Sequence, residues 1–168
     1  ERMGAAIRVS AADDSWEPRG TIVVEAHPLQ GTVVSAEEAS GVIDELPILM
    51  VAAACARGTM RFEGIGELRV KETDRIRSMA TGLERLGASI RLPAPDVVEI
   101  DGGTLVAGTV ASAGDHRTAM SLSVAGLLAQ GHGTTVQGAE CVGKSFPEFF
   151  ALLAQVAGSS TVKTVDKA

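Results

Sequence analysis

The chain has 168 residues, 45% apolar and 21% charged, with a formal net charge of −6. That length suits one hydrophobic core, 3% aromatics argue against a base-stacking nucleic-acid module, and the acidic balance gives the surface no general attraction for polyanions. An anion site must therefore be a local cluster of Lys and Arg, while Cys55 and Cys141 make neither a disulfide framework nor a metal site and read as small packed residues in a reducing compartment.

From the N-terminus, the stretch Glu1-Arg2-Met3-Gly4-Ala5-Ala6-Ile7-Arg8 mirrors Glu84-Arg85-Leu86-Gly87-Ala88-Ser89-Ile90-Arg91. The chain is thus expected to open in the last turn of a helix. Strands follow at Ala6 to Ser10 and Thr21 to Glu25, with Trp16 in a polar turn at the surface. A short strand around Gly31 to Ser35 comes next. Leu46 to Ala56 is the longest apolar run and reads as a buried helix with Pro47 in its first turn. It falls short of the roughly 18 residues a membrane span needs. After a strand at Met60 to Glu63, a helix is expected from about Thr73 to Leu86, with Ile76, Met79, Leu83 and Leu86 on one face and Gly87 as its stop. Strands Ala88 to Leu92 and Val97 to Ile100 flank the turn Pro93-Ala94-Pro95-Asp96.

This β-α-β-α-β-β order then begins again. Val51 to Gly58 aligns with Val124 to Gly131 at a shift of 73 positions, which also superposes Glu67 on Glu140 and Lys71 on Lys144. Gly31 to Ser35 resembles Gly108 to Ser112, with a following loop four residues shorter in the second copy. The chain divides into the end of one unit (1–30), a full unit (31–103) and an incomplete one (104–168). The last contains a helix from Pro147 to Ala157 and room for one strand between Ser159 and Val165. An α/β protein of about two and a half repeats, cut from a larger repeat protein, is the expectation.

The chemistry gathers at four expected helix starts: Asp44 and Glu45 before Pro47; Lys71-Glu72-Thr73-Asp74-Arg75; Asp115-His116-Arg117 with Asp115 as natural cap; and Lys144-Ser145-Phe146-Pro147-Glu148, where Ser145 and Glu148 have capping-box spacing. Helix N-termini favour anions, so Lys71, Arg75, Arg117 and Lys144 placed there make a cationic locale in an acidic protein. Arg75 and Arg117 have the fork that grips phosphate or carboxylate, and Asp44 and Glu72 stand beside them for acid–base work. Taken singly, Lys71 to Arg75 reads equally as a solvated charge run, Asp115 as a simple cap, and His116 as a packed or solvent-facing first-turn residue. Equivalent repeat positions are what bring them to one end.

Ile43-Asp44-Glu45-Leu46-Pro47, Glu67-Leu68-Arg69-Val70-Lys71-Glu72-Thr73-Asp74-Arg75, Asp115-His116-Arg117 with Ala119-Met120, and Lys144-Ser145-Phe146-Pro147 resemble, in order, the signature segments of 5-enolpyruvylshikimate-3-phosphate synthases. The resemblance implies a lobe of β-α-β-α-β-β units (an inside-out α/β barrel), part of a two-lobed enzyme whose N-terminal lobe is missing here. It implies phosphoenolpyruvate and shikimate 3-phosphate as substrates, a place in aromatic amino-acid biosynthesis, and glyphosate as the family's inhibitor. By similarity Asp44 takes the 5-hydroxyl proton, Glu72 protonates the methylene of phosphoenolpyruvate, and Lys71 binds the hydroxyl region and shares proton traffic. Arg75, Arg117 and Lys144 hold the phosphate and carboxylate of phosphoenolpyruvate. Glu67 lies near the sugar-like ring and His116 stands behind the site. The resemblance implies no metal, organic cofactor, nucleic acid or membrane, and a cytoplasmic location, with a plastid left open. The related transferase acting on UDP-N-acetylglucosamine is the nearest alternative; a non-catalytic anion-binding module is the other.

Overall fold

The computed structural model describes residues 2–11, 16–163 and 165. Its elements run β1 (Ala6–Ala11), β2 (Gly20–Glu25), β3 (Val33–Val34), α1 (Ala36–Gly41), α2 (Leu46–Ala54), β4 (Thr59–Phe62), a 3-10 turn (Gly66–Val70), α3 (Arg75–Arg85), β5 (Ser89–Ala94), β6 (Val97–Asp101), β7 (Thr109–Ala111), α4 (His116–Leu128), β8 (Thr135–Gln137), a second 3-10 turn (Ala139–Lys144) and α5 (Phe149–Ala157). The fold is mixed α/β, as the alternating periodicities predict.

Burial explains the layering. On β4 and β6 the side chains alternate: Met60, Phe62, Val98 and Ile100 are buried, whereas Arg61, Glu99 and Asp101 face outward. The outward face carries a charge ladder in which Arg61 reaches Glu99 at 2.5 Å and Arg91 reaches Glu99 at 3.1 Å and also Asp101. The inward face meets the helices. α2 is apolar all round and buries Leu46, Pro47, Met50, Val51, Ala53 and Ala54, while α3 is two-sided and buries Ile76, Met79 and Leu83 as its 3.6-residue period predicts. Helices α2, α3 and α4 pack against one another, with β6 on α2, β5 and β7 on α3, and β8 on α4. The N-terminal ends of all three come close together, where Arg75 reaches both Asp44 and Asp115.

The repeat survives in hydrogen bonds. β3 lies parallel to β4 with Val33 opposite Arg61, and β7 lies parallel to β8 with Thr109 opposite Thr135. β6 then pairs antiparallel with both β4 and β5, giving the order β3-β4-β6-β5. Equivalent bonds from Arg61 N to Thr32 O and from Thr135 N to Gly108 O, both 2.9 Å, equate Thr32 with Gly108. The Gly31–Gly108 alignment read from the sequence is thus one residue out, because Thr-Val followed by Ser matched in identity but not in register. The two mirrored glycines agree: Gly4 has φ +77° and Gly87 φ +88°, the left-handed conformation that ends a helix.

Several expectations need correction. Helix α1 was not expected, yet Ser35 and Glu38 form a complete capping box: the Glu38 N–H donates to Ser35 Oγ at 3.4 Å and the Ser35 N–H to Glu38 Oε2 at 3.1 Å. It occupies the loop that is longer in the first copy. Ser145 and Glu148 form no such box. The N–H groups of Ser145 and Phe146 both bond the Val142 carbonyl, closing the preceding 3-10 turn, so α5 starts only at Phe149 with no side-chain cap. Lys144 thus ends that turn and does not open a helix. Cys55, expected in the core, is exposed beyond the end of α2, and Cys141 is half-buried. Trp16 is exposed. The strand expected between Ser159 and Val165 is absent among the described residues there, where Thr161 N instead closes a turn on Gly158 O at 2.9 Å. Glu1, Thr164 and part of the turn before Trp16 lie outside the described residues. Among the described residues, no helix is long and apolar enough to cross a membrane.

Candidate functional site

The N-terminal ends of α2, α3 and α4 meet around one guanidinium. Arg75, the first residue of α3, has a side chain only 2% exposed. Its Nε donates to Asp115 Oδ2 at 2.7 Å, its Nη1 to Asp44 Oδ1 at 3.2 Å, and its Nη2 to Glu72 Oε2. Each carboxylate comes from a different place: Asp44 from the turn before α2, Glu72 from the segment before α3, and Asp115 from the N-cap of α4. Arg117 closes the cluster from α4, donating through Nη1 to the Asp44 carbonyl at 2.8 Å and lying 3.1 Å from Asp44 Oδ2 through Nη2.

Local sequence explains these placements. Asp74 caps α3 by accepting the Arg77 N–H at 3.0 Å, and Arg69 steadies it from the 3-10 turn at 2.6 Å. That cap fixes where the helix starts, and so fixes Arg75 pointing inward. Asp115 caps α4 through Oδ1, which accepts the Thr118 N–H at 2.9 Å, leaving Oδ2 for Arg75. Ser78 Oγ and Thr118 Oγ1, 3.1 Å apart, tie the same two helices one turn further along.

The cationic locale is therefore not an open one. Lys71 forms an i,i+4 ion pair with Glu67 across the end of its 3-10 turn, and Arg117 is held by Asp44. Arg75, expected to grip an anion through two free N–H groups, is buried and turned to three protein carboxylates. Lys144 alone of the four is exposed without a hydrogen bond or ion pair among the described residues. His116 is half-buried at the first position of α4, and its side chain makes no hydrogen bond among the described residues. Asp44, Glu72, Arg75 and Arg117 are brought together directly. Lys71 and Glu67 stand beside Glu72. Lys144 lies two residues from Phe146, which with Asp44, Ile48, Arg117, Met120 and Phe149 lines an open, largely apolar pocket of about 300 Å³.

Sequence reading missed the second role of Asp115. Its carboxylate is 0% exposed. Burial pushes its pKa up, but the Thr118 N–H and the Arg75 guanidinium outweigh that and hold it below the ordinary Asp value. A depressed folded-state pKa means stability that is fully present above the unfolded value of about 4 and lost as the pH falls through the lower folded value. The melting temperature should accordingly drop as the pH is taken below about 4. Glu99 and Asp101, also lowered by their arginine partners, lose stability in the same direction, but they are on the solvent side and screened. Thermal melts against pH at low and high salt separate the two. The acid-side drop should persist in high salt; its disappearance there would remove the buried pair from the account.

A family model described as EPSP synthase (3-phosphoshikimate 1-carboxyvinyltransferase) matches residues 1–153. A 3-phosphoshikimate 1-carboxyvinyltransferase of Roseiflexus sp. (strain RS-1) is 45% identical over 157 residues, covering 92% of this chain and 36% of the relative. One from Geobacter metallireducens is 46% identical over 144 residues, covering 85% and 33%. Among solved structures, an EPSP synthase from Acinetobacter baumannii superposes with a TM-score of 0.83 at 38% identity over 93% of this chain and 37% of that one. The enolpyruvyl transferase NikO from Streptomyces tendae, at TM-score 0.65 and 21% identity, shares the fold. The chain spans about a third of the length of the curated relatives it matches.

Proposed function

Because the chain belongs to the EPSP synthase (3-phosphoshikimate 1-carboxyvinyltransferase) family, we propose that it supplies one wall of an active site for enolpyruvyl transfer. The group moves from phosphoenolpyruvate to the 5-hydroxyl of shikimate 3-phosphate, and phosphate is released. One observation carries this reading: two partly exposed carboxylates, Asp44 and Glu72, share one guanidinium at the meeting point of three helix N-termini, with Arg117 on Asp44.

Asp44 takes the proton of the 5-hydroxyl as its oxygen attacks the substituted carbon of phosphoenolpyruvate. Glu72 gives a proton to the methylene carbon, and the two steps together form a tetrahedral intermediate. The new methyl group then returns a proton to Glu72 as the C–O bond to phosphate breaks, the proton held by Asp44 leaves with the phosphate, and the enolpyruvyl double bond is restored. Protonating the methylene makes a cationic centre that a neighbouring carboxylate stabilises. Arg75, Arg117 and Lys144 bind the anionic groups of phosphoenolpyruvate, and Lys71 and Glu67 bind the hydroxyl side of the shikimate ring. His116 supports them from behind. An incoming anion therefore competes with Asp44 and Glu72 for Arg75 and Arg117, and it releases those carboxylates for their work. The division into 1–30, 31–103 and 104–168, the opposing lobe and a cytoplasmic setting belong to the same reading.

A chimera tests it, with this chain replacing the matching segment of the Acinetobacter baumannii protein. Phosphate should appear only when both phosphoenolpyruvate and shikimate 3-phosphate are supplied. The 168-residue chain alone should stay at background, since one wall neither surrounds both substrates nor excludes water. A folded chimera that is silent with shikimate 3-phosphate, or that accepts a UDP-sugar instead, would remove the proposal.

A further inference from the structure

We propose that Asp115 is a positioning residue: it anchors Arg75 from its buried side, so that the two outer arms of the guanidinium can exchange Asp44 and Glu72 for an anionic ligand while Arg75 stays in place. The identity of that ligand rests on the function proposed above; the anchoring rests on geometry.

The three carboxylates on Arg75 are not equivalent. Asp44 and Glu72 have side chains 43% and 50% exposed, so water can take over their oxygens when they let go. Asp115 is 0% exposed and has no such substitute. Both its oxygens are committed, Oδ2 to Arg75 and Oδ1 to the Thr118 N–H, so it cannot swing away without uncapping α4. Glu72 sits on a short segment between a 3-10 turn and α3, with Arg75 as its single ionic partner among the described residues. Asp44 is held by Arg117 as well as by Arg75, so releasing it from one still leaves the other. The outer arms are thus exchangeable and the inner one is fixed. A buried guanidinium that lost all its partners at each binding event would be an uncompensated buried charge. With Asp115 in place it is never without a counter-ion, and its outer edge keeps one direction.

Asp115 does two jobs through two different oxygens, which makes them separable. Asp115→Asn keeps an oxygen for the α4 cap, since Asn caps as well as Asp, but it withdraws the charge from Arg75 Nε. In the chimera, KM for phosphoenolpyruvate should rise about tenfold or more, as expected for a lost charged hydrogen bond, with KM for shikimate 3-phosphate nearly unchanged. A purely structural defect would lower the active fraction and leave both KM values alone, and that outcome overturns the proposal. A second measurement needs no variant. In an NMR titration of the wild-type chain with inorganic phosphate, the Arg75 Nη and the Asp44 and Glu72 carboxyl resonances should move. The Arg75 Nε–H and the Asp115 carboxyl should hold still. Movement of Asp115 together with the others, or no movement of any arm, overturns the exchange. A wild-type chimera without turnover counts against the proposed function, whereas the titration judges the anchoring by itself.

Discussion

Arg75→Met is expected to lower the unfolding free energy of this chain by about 3–5 kcal/mol, the usual cost of removing one partner of a buried ion pair. For a domain of this size that is a fall of roughly 6–20 °C in melting temperature. Methionine fills much the same volume, so the loss comes less from a cavity than from Asp115, left buried without its cation. The Thr118 N–H still bonds one of its oxygens, which keeps the cost from being larger. Asp44 and Glu72 lose a partner too, but both reach water and add little. Combining Arg75→Met with Asp115→Asn should recover part of the loss, because the orphaned charge is gone while the α4 cap remains. Denaturant melts of the two single variants and the double variant give the coupling directly. If the double variant loses the sum of the two single losses, the buried pair is not what holds α3 to α4.

Much of this architecture was legible because its signals are local. The apolar run at Leu46, the 3.6-residue spacing of Ile76, Met79 and Leu83, and the stop at Gly87 each report on a few neighbouring residues, and each element formed where they put it. Strand register was less legible: Thr-Val-Val and Thr-Val-Ala match in composition one residue away from where their hydrogen bonds place them. The capping boxes show how spacing alone misleads. Ser35 and Glu38 close one, with Glu38 Oε2 on the Ser35 N–H and Oε1 left for Arg2, whereas Ser145 is claimed by the end of a 3-10 turn. At the site, the repeat correctly suggested that Asp44, Arg75 and Arg117 converge. It gave no warning that the cations would be matched by carboxylates. Pairing of Arg75 with Asp115 spans 40 positions and depends on how α3 and α4 pack, which no short window contains.

That distinction between buried and exposed partners sets the largest effect expected on catalysis. Glu72→Gln in the chimera should reduce turnover by roughly 10²–10⁴-fold, the range for losing a positioned acid–base group, while changing stability by no more than about 0.5 kcal/mol. Half the Glu72 side chain is exposed, and a glutamine amide oxygen can still accept from Arg75 Nη2, so little of the fold depends on its charge. What glutamine cannot do is carry the proton to carbon. Lys71→Met should behave alike on stability, since its i,i+4 pair with the exposed Glu67 is worth only about 0.3–0.5 kcal/mol. Its turnover should fall well beyond what that loss explains. Kinetics and thermal melts on the same samples decide the matter. If either substitution collapses the melt and leaves turnover per folded molecule near wild type, the residue belongs to the framework around Arg75 and Asp115. The acid–base role would then have to pass to Asp44, the other partly exposed carboxylate on the same guanidinium.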